Sequence, residues 1–224
     1  MSRTLTASDR SSLIRLASTL PVGSPERKAI LADLAQTKVA LGGYNIPGKH
    51  ILNKAQVSGK AVVRDDAVVR DDAVVGDNTK VYGRAKVYGN AKVFDKAKVY
   101  GNAQVSGNAV VYGKAEVSDN ARVSGKAVVY GDAKVYGNAR VSGFSSVHDA
   151  KLSGNAQVFD NAHVIGNAQV YGDAWVFGKA HVYGKAQVSG NARIGGTAII
   201  LSGEWDGSEG EILSGKWKAP GVPA

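Results

Sequence analysis

Val87-Tyr88-Gly89-Asn90-Ala91-Lys92 is one copy of a phrase that recurs, with small changes, every six residues from Val57 onward. An aliphatic residue falls at Ile51, Val57, Val63 and Val69, in unbroken steps of six to Val147. The series resumes at Leu152 and continues through Val158 and Val164 to Ile194 and Ile200. Four positions after each aliphatic residue comes Ala, as at Ala55, Ala61, Ala67 and Ala73, with Thr79 and Ser145 as exceptions. Two positions after it, from Gly59 and Asp65 through Asp119 and Gly137 to Gly196, stands only Gly or Asp. Both residue types tolerate positive φ, Gly most readily, so this position predicts a tight corner. The polar residue that follows it stays in water.

Between corners, stretches such as Ala-Lys-Val-Tyr alternate in and out with a period of two. Ala and Val face inward; Lys and Tyr face outward. One strand-plus-corner unit cannot bury its apolar face alone, but three sides closing a triangle of about 18 residues, stacked turn on turn, can. Residues 51–200 then make roughly 8 coils, a rod about 40 Å long at ~4.8 Å per rung. Each inward valine contributes on the order of 1.5–3 kcal/mol by burial. The spacing predicts an all-β, single-stranded parallel β-helix, a triangular β-solenoid.

The repeat Val-x-Gly-Asn-Ala-x resembles the hexapeptide-repeat family of left-handed parallel β-helices. The wording in Val87-Tyr88-Gly89-Asn90-Ala91 and Val135-Tyr136-Gly137-Asn138-Ala139 is most similar to the YdcK-type β-solenoids of bacteria and their phages. The left hand is what the resemblance implies, against the usual right-handed crossover. It also implies a homotrimer. The fold hosts acyltransferases, structural rods and ice-binding surfaces, so the resemblance leaves function open.

The flanks read differently. Residues 1–37 form a helical segment: Leu13, Ile14, Leu16, Ala17 and Leu20 recur at helical spacing, and Ser24-Pro25-Glu26 opens a second helix carrying Ile30, Leu31 and Leu34. Such a short helical hairpin is unstable alone and must dock on something. Its stretches Leu13 to Ser18 and Gly23 to Leu31 resemble a segment of phage-encoded, virion-associated proteins. Residues 38–50, with Gly42-Gly43 and Ile46-Pro47-Gly48, read as a linker. Residues 201–224 read as a C-terminal hairpin and tail, because Ile200-Leu201-Ser202-Gly203-Glu204-Trp205 and Ile212-Leu213-Ser214-Gly215-Lys216-Trp217 repeat across a glycine-rich turn. This hairpin would cap the last coil. Leu13, Leu16, Leu20, Ile30, Leu34, Trp205 and Trp217 are the candidate docking residues.

Taking every third hexad assigns residues to the three outer sides. One side presents Val74, Phe94, Val110, Tyr112, Val128, Tyr130, His148, His163, Ile165, His181, Tyr183, Ile199 and Leu201, interrupted by Lys92 and Ser146. That side is too apolar to leave in water, and Val74, Phe94, Val110, Tyr112, Val128, Tyr130, His163, Ile165, His181, Tyr183 and Ile199 are the candidate protomer interface. A second side carries Lys80, Tyr82, Lys98, Tyr100, Glu116, Lys134 and Tyr136. The third carries Arg122, Ser124, Arg140 and Ser142, then Phe159, Trp175 and Phe177. The hexads break once, at Val147-His148-Asp149-Ala150-Lys151-Leu152, where one residue is missing and the inner pattern resumes at once.

Composition excludes several classes. Zero cysteines rule out disulfides and thiolate metal sites, and no apolar run approaches the roughly eighteen residues a membrane helix needs. The N-terminus lacks the apolar core of a signal peptide, so synthesis and retention in a cytoplasm are expected, with assembly into a virion. His163 and His181 lie 18 apart and should stack, but two histidines without Cys or nearby carboxylates make a poor metal site. A general base also needs an orienting partner and a pocket, which the sequence does not supply. Lys80, Lys98 and Lys134 interleave with Tyr82, Tyr100 and Tyr136 in a way that suits nucleic acid, yet a flat side offers no groove. The net charge of +9 favours acidic partners or is simply a solvated basic surface. The expectation is a structural or interaction protein without cofactor: a rigid trimeric solenoid docking on a larger assembly such as a phage capsid or tail. The alternative is a hexapeptide-repeat acyltransferase with an interfacial His.

Overall fold

The computed structural model describes residues 51–219 and 222–223. The repeats form a parallel β-solenoid of three sheets, with no helix among the described residues. Each hexad supplies a strand of two or three residues, and each strand pairs in parallel with the one on the next turn. Val110 thus pairs with Val128, Glu116 with Lys134 and Arg122 with Arg140. The first sheet starts at Gln56–Val57, the second at Val62–Val63 and the third at Val68–Val69. The first sheet has 11 strands, the last of them antiparallel, so ten parallel strands bound nine turns rather than eight. The helical segment, the linker up to His50, and with them Leu13, Leu16, Leu20, Ile30 and Leu34, lie outside the described residues.

The valine and alanine columns are the core, with residues such as Val99, Ala103, Val105 and Ala109 fully buried. The wall's backbone bonds turn to turn: Lys98 N–H donates to the Ala115 carbonyl at 2.9 Å, Tyr100 N–H to Val117 at 3.0 Å and Asn102 N–H to Asp119 at 2.6 Å. A buried sheet requires this of every peptide group. Two residues depart from the alanine column. Ser145 donates its hydroxyl to the Ser142 carbonyl at 2.7 Å, whereas Thr79 Oγ1 is buried with no partner among the described residues.

The corners explain the Gly-or-Asp restriction. Gly125 has φ +68°, and a Cβ there would meet the N and O of Gly143, on the next turn, at 2.9 and 3.0 Å. Asp accommodates the same backbone by a different route. Asp119 has φ 57°, and its carboxylate accepts the Gly137 N–H of the next corner at 3.0 Å. Asp65, Asp71, Asp95 and Asp160 accept Gly83, Gly89, Gly113 and Gly178 in the same way.

The C-terminal hairpin expected between the two Ile-Leu-Ser-Gly-x-Trp phrases does not form. Trp205 pairs in parallel with Val188 on the second sheet, Ile212 with Ile194 on the third, and Trp217 with Ile200 on the first. The two phrases are instead shortened sides of a ninth turn. Their inward residues are five apart rather than six, and each alanine is missing. An indole fills the combined space. Trp205 Nε1 donates to the Ser202 carbonyl at 3.0 Å, Trp217 Nε1 to that of Ser214 at 2.9 Å, and the rings meet edge to face at 6.1 Å. An antiparallel pair does follow, farther along, between Lys216–Ala219 and Val222–Pro223.

Candidate functional site

The outer face of the first sheet gathers the residues assigned to the interface. Register places Val74, Lys92, Val110, Val128, Ser146, His163, His181 and Ile199 in one outward column. A second column is built from rings: Phe94 and Tyr112 stack at 5.2 Å, Tyr112 and Tyr130 at 5.1 Å, Tyr130 and His148 at 4.1 Å. Ile165, in register with His148, continues it toward Tyr183 and Leu201. Both columns are half-buried from Val110 to Leu201. Across that span neither column holds a Lys, Arg, Asp or Glu; Lys92 and Lys216 bracket it at the ends.

Three histidines stand on this face, and each has a polar partner. Ser146 Oγ lies 2.6 Å from His163 Nδ1, and the Tyr183 hydroxyl 2.9 Å from His181 Nδ1. The His163 and His181 rings stack at 4.8 Å. Burial, followed by the neighbouring His163, holds the His181 pKa below the ordinary histidine value. His148 Nε2 lies 3.0 Å from Asp149 Oδ2. That carboxylate went unrecognised in the sequence, although the missing residue of the hexad was its signal. At regular corners the N–H after the glycine donates to the next corner's carbonyl, as Lys114 does to Gly131 at 2.9 Å. At the shortened corner the Asp149 side chain takes over, accepting Asp132 N–H at 2.7 Å.

A hydroxyl beside an imidazole suggests nucleophilic chemistry, but acyl transfer also needs N–H groups aimed at a developing oxyanion. The backbone at these two residues is committed elsewhere: Ser146 N–H donates to Ala162 at 3.0 Å and His163 N–H to Ala180 at 2.9 Å. Among the described residues no three His, Asp or Glu side chains gather into a metal cluster.

The other faces are polar or mixed. On the second, Tyr82 and Tyr100 stack at 4.9 Å and Lys98 pairs with Glu116 at 2.8 Å. That hydrogen bond from Lys98 pulls the Glu116 carboxyl below its usual pKa. On the third, Phe159 and Phe177 stack at 5.5 Å and Arg193 lies 4.4 Å over the Trp175 ring. Of the docking tryptophans, Trp205 is fully buried and has no surface to offer a partner. It plugs the core, and Trp217 is half-buried against the same plug. Leu213, beside them, is exposed.

A family model described as YdcK beta solenoid repeat matches residues 97–113, 103–116, 115–131, 133–149 and 168–184. No curated protein and no solved structure matches the chain.

Proposed function

We propose that this chain, a carrier of YdcK-type β-solenoid repeats, is a rigid structural rod that forms a trimer through the outer face of its first sheet and docks on a larger assembly, a phage particle. The observation that carries the reading is the charge-free double column from Val110 to Leu201. An apolar and aromatic strip of this length is costly to leave in water, and a straight rod presents it to a straight partner. Another copy of the same rod matches it in length and in lack of charge. Closed threefold symmetry covers the strip on every copy and leaves no adhesive edge. The nine-turn wall, with its backbone spent on the next turn, supplies the stiffness of a spacer.

Light scattering on the full chain tests this. The wild type should have the mass of a trimer. Val128→Lys, which puts a charge inside the strip, between Val110 and Ser146, without touching the core, should shift it to monomer, since burying an unpaired ammonium costs several kcal/mol. A monomeric wild type, or a trimer indifferent to Val128→Lys, overturns the interface.

A second reading, acyl transfer by an interfacial histidine, is favoured by the 3.0 Å contact between His148 and Asp149, a carboxylate able to orient an imidazole. It requires saturable binding of an acyl thioester and loss of turnover in His148→Gln. Detection of both would displace the structural reading.

A further inference from the structure

The third sheet carries a feature that the rod itself does not need. Arg122 and Arg140 stand in register on adjacent strands, flanked by Gln104 before and Gln157 after. Like charges side by side on neighbouring strands destabilise a sheet, and at most repeats the outward position tolerates any polar residue. Lys134 and Lys151 on the second sheet are a like-charged pair too, but of flexible ammonium groups rather than planar guanidiniums, and several other cations are relieved. Lys98 is paired with Glu116, Arg64 and Arg70 lie beside Asp65 and Asp71, and Arg193 covers Trp175. Among the described residues neither Arg122 nor Arg140 has a carboxylate or a ring against it.

Their surroundings form a groove along the rod axis. One bank is a ladder of corner amides: Asn102 donates to Asn120 at 3.1 Å, Asn120 to Asn138 at 3.2 Å, Asn138 to Asn155 at 3.0 Å and Asn155 to Asp173 at 2.8 Å. The ladder uses one amide hydrogen per asparagine and leaves the second for another acceptor. Asn120, Arg122, Asn138, Arg140, Asn155 and Gln157 line the groove. On the far side of the arginines the outward positions hold the short hydroxyl side chains of Ser124 and Ser142, with Ser106 before them and the Phe159 ring only at the Gln157 end. The Gln104 to Gln157 column spans three rung spacings, about 14 Å.

We infer that this groove binds an acidic polysaccharide, lying along the rod axis with its carboxylate or sulfate groups on Arg122 and Arg140 and its hydroxyls on the asparagine ladder and the serines. Guanidinium groups take planar oxyanions in bidentate fashion. The length and openness of the groove suit a polymer better than an enclosed ion. Single-stranded nucleic acid binding would call for rings between the cations. Here serines occupy those places, whereas the Lys and Tyr face that has rings ties Lys98 to Glu116. This site lies on a different sheet from the strip proposed for self-association, so either can fail without the other.

The test is calorimetric titration of the full chain with a homogalacturonan dodecasaccharide, which carries carboxylates, and a heparin dodecasaccharide, which carries sulfates. At least one should bind, and the arm that responds identifies the anionic group. Arg122→Ala with Arg140→Ala should weaken binding about tenfold or more. Lys134→Ala with Lys151→Ala removes the same charge from the second sheet and should change affinity less than about twofold. Far-ultraviolet dichroism confirms that both variants fold, their altered side chains being exposed. Three outcomes overturn the proposal: neither saccharide binds, both double variants lose affinity equally, or oligodeoxythymidylate of equal charge binds more tightly than either saccharide and is lost with the arginines.

Discussion

The middle turns and the closing turn solve one packing problem with opposite means. From Val81 to Val141 every side places a valine and an alanine inside, and each small contribution is duplicated on the rungs above and below. The closing turn has no rung above most of it, and it shortens two sides to five residues while inserting indoles. Redundancy protects the middle; single large side chains protect the end. The lesson is that a repeat protein concentrates its vulnerability where the repeat stops.

The largest effect should therefore come from Trp205→Ala. Removing a fully buried indole that fills the place of two side chains should cost about 3–5 kcal/mol. A valine-to-alanine change at Val117 should cost less, because cavities between intact rungs are smaller. Thermal unfolding of the two variants checks the ranking. Equal losses would mean that the closing turn is not a plug.

Corners sharpen the same contrast between crowded and relaxed places. Gly125→Ala should cost about 2–4 kcal/mol, combining left-handed backbone with a Cβ pressed on Gly143. Gly166, on the turn after the shortened corner, has its nearest next-turn backbone at 3.5 Å, so Gly166→Ala should cost only the backbone term, about 1 kcal/mol. Gly125→Asp should recover part of the Gly125→Ala loss, because a carboxylate at that corner can accept the next corner's N–H as Asp119 does. Denaturant midpoints of the three variants decide it. If the Asp and Ala variants at 125 are equal, the corner hydrogen bonds contribute nothing.

The sequence made the middle legible and the end illegible for one physical reason. Six-residue periodicity with a Gly or Asp corner admits one backbone solution, and the sides read from it hold residue by residue, down to Arg122 beside Arg140 and His163 beside His181. In the closing turn the spacing changes to five and the inward residue becomes Trp, so a local pattern of strand, glycine-rich turn and strand looked like a hairpin. Strand signals state that chain is extended, not which neighbour it pairs with. The candidate strip was legible because outward positions follow from the inward ones. The His148 and Asp149 contact was not, since it depends on where a shortened corner puts a carboxylate.

The smallest effect expected is a pH dependence centred on His181. The folded-state pKa of His181 lies below its value in the unfolded chain, through burial and then through His163. In the interval just under the ordinary histidine value of 6.5 the unfolded chain takes up a proton that the folded chain refuses. Stability is therefore full above that value and falls as the pH drops through it. Ser146 and Tyr183 hold the Nδ1 atoms of His163 and His181, and the two rings stack 4.8 Å apart. His181→Gln removes the refused proton and should flatten the dependence of the melting temperature between pH 7.5 and pH 5.5, an interval chosen to bracket free histidine. An acid response undiminished in His181→Gln would mean that burial of this ring does not set the pH dependence of the fold.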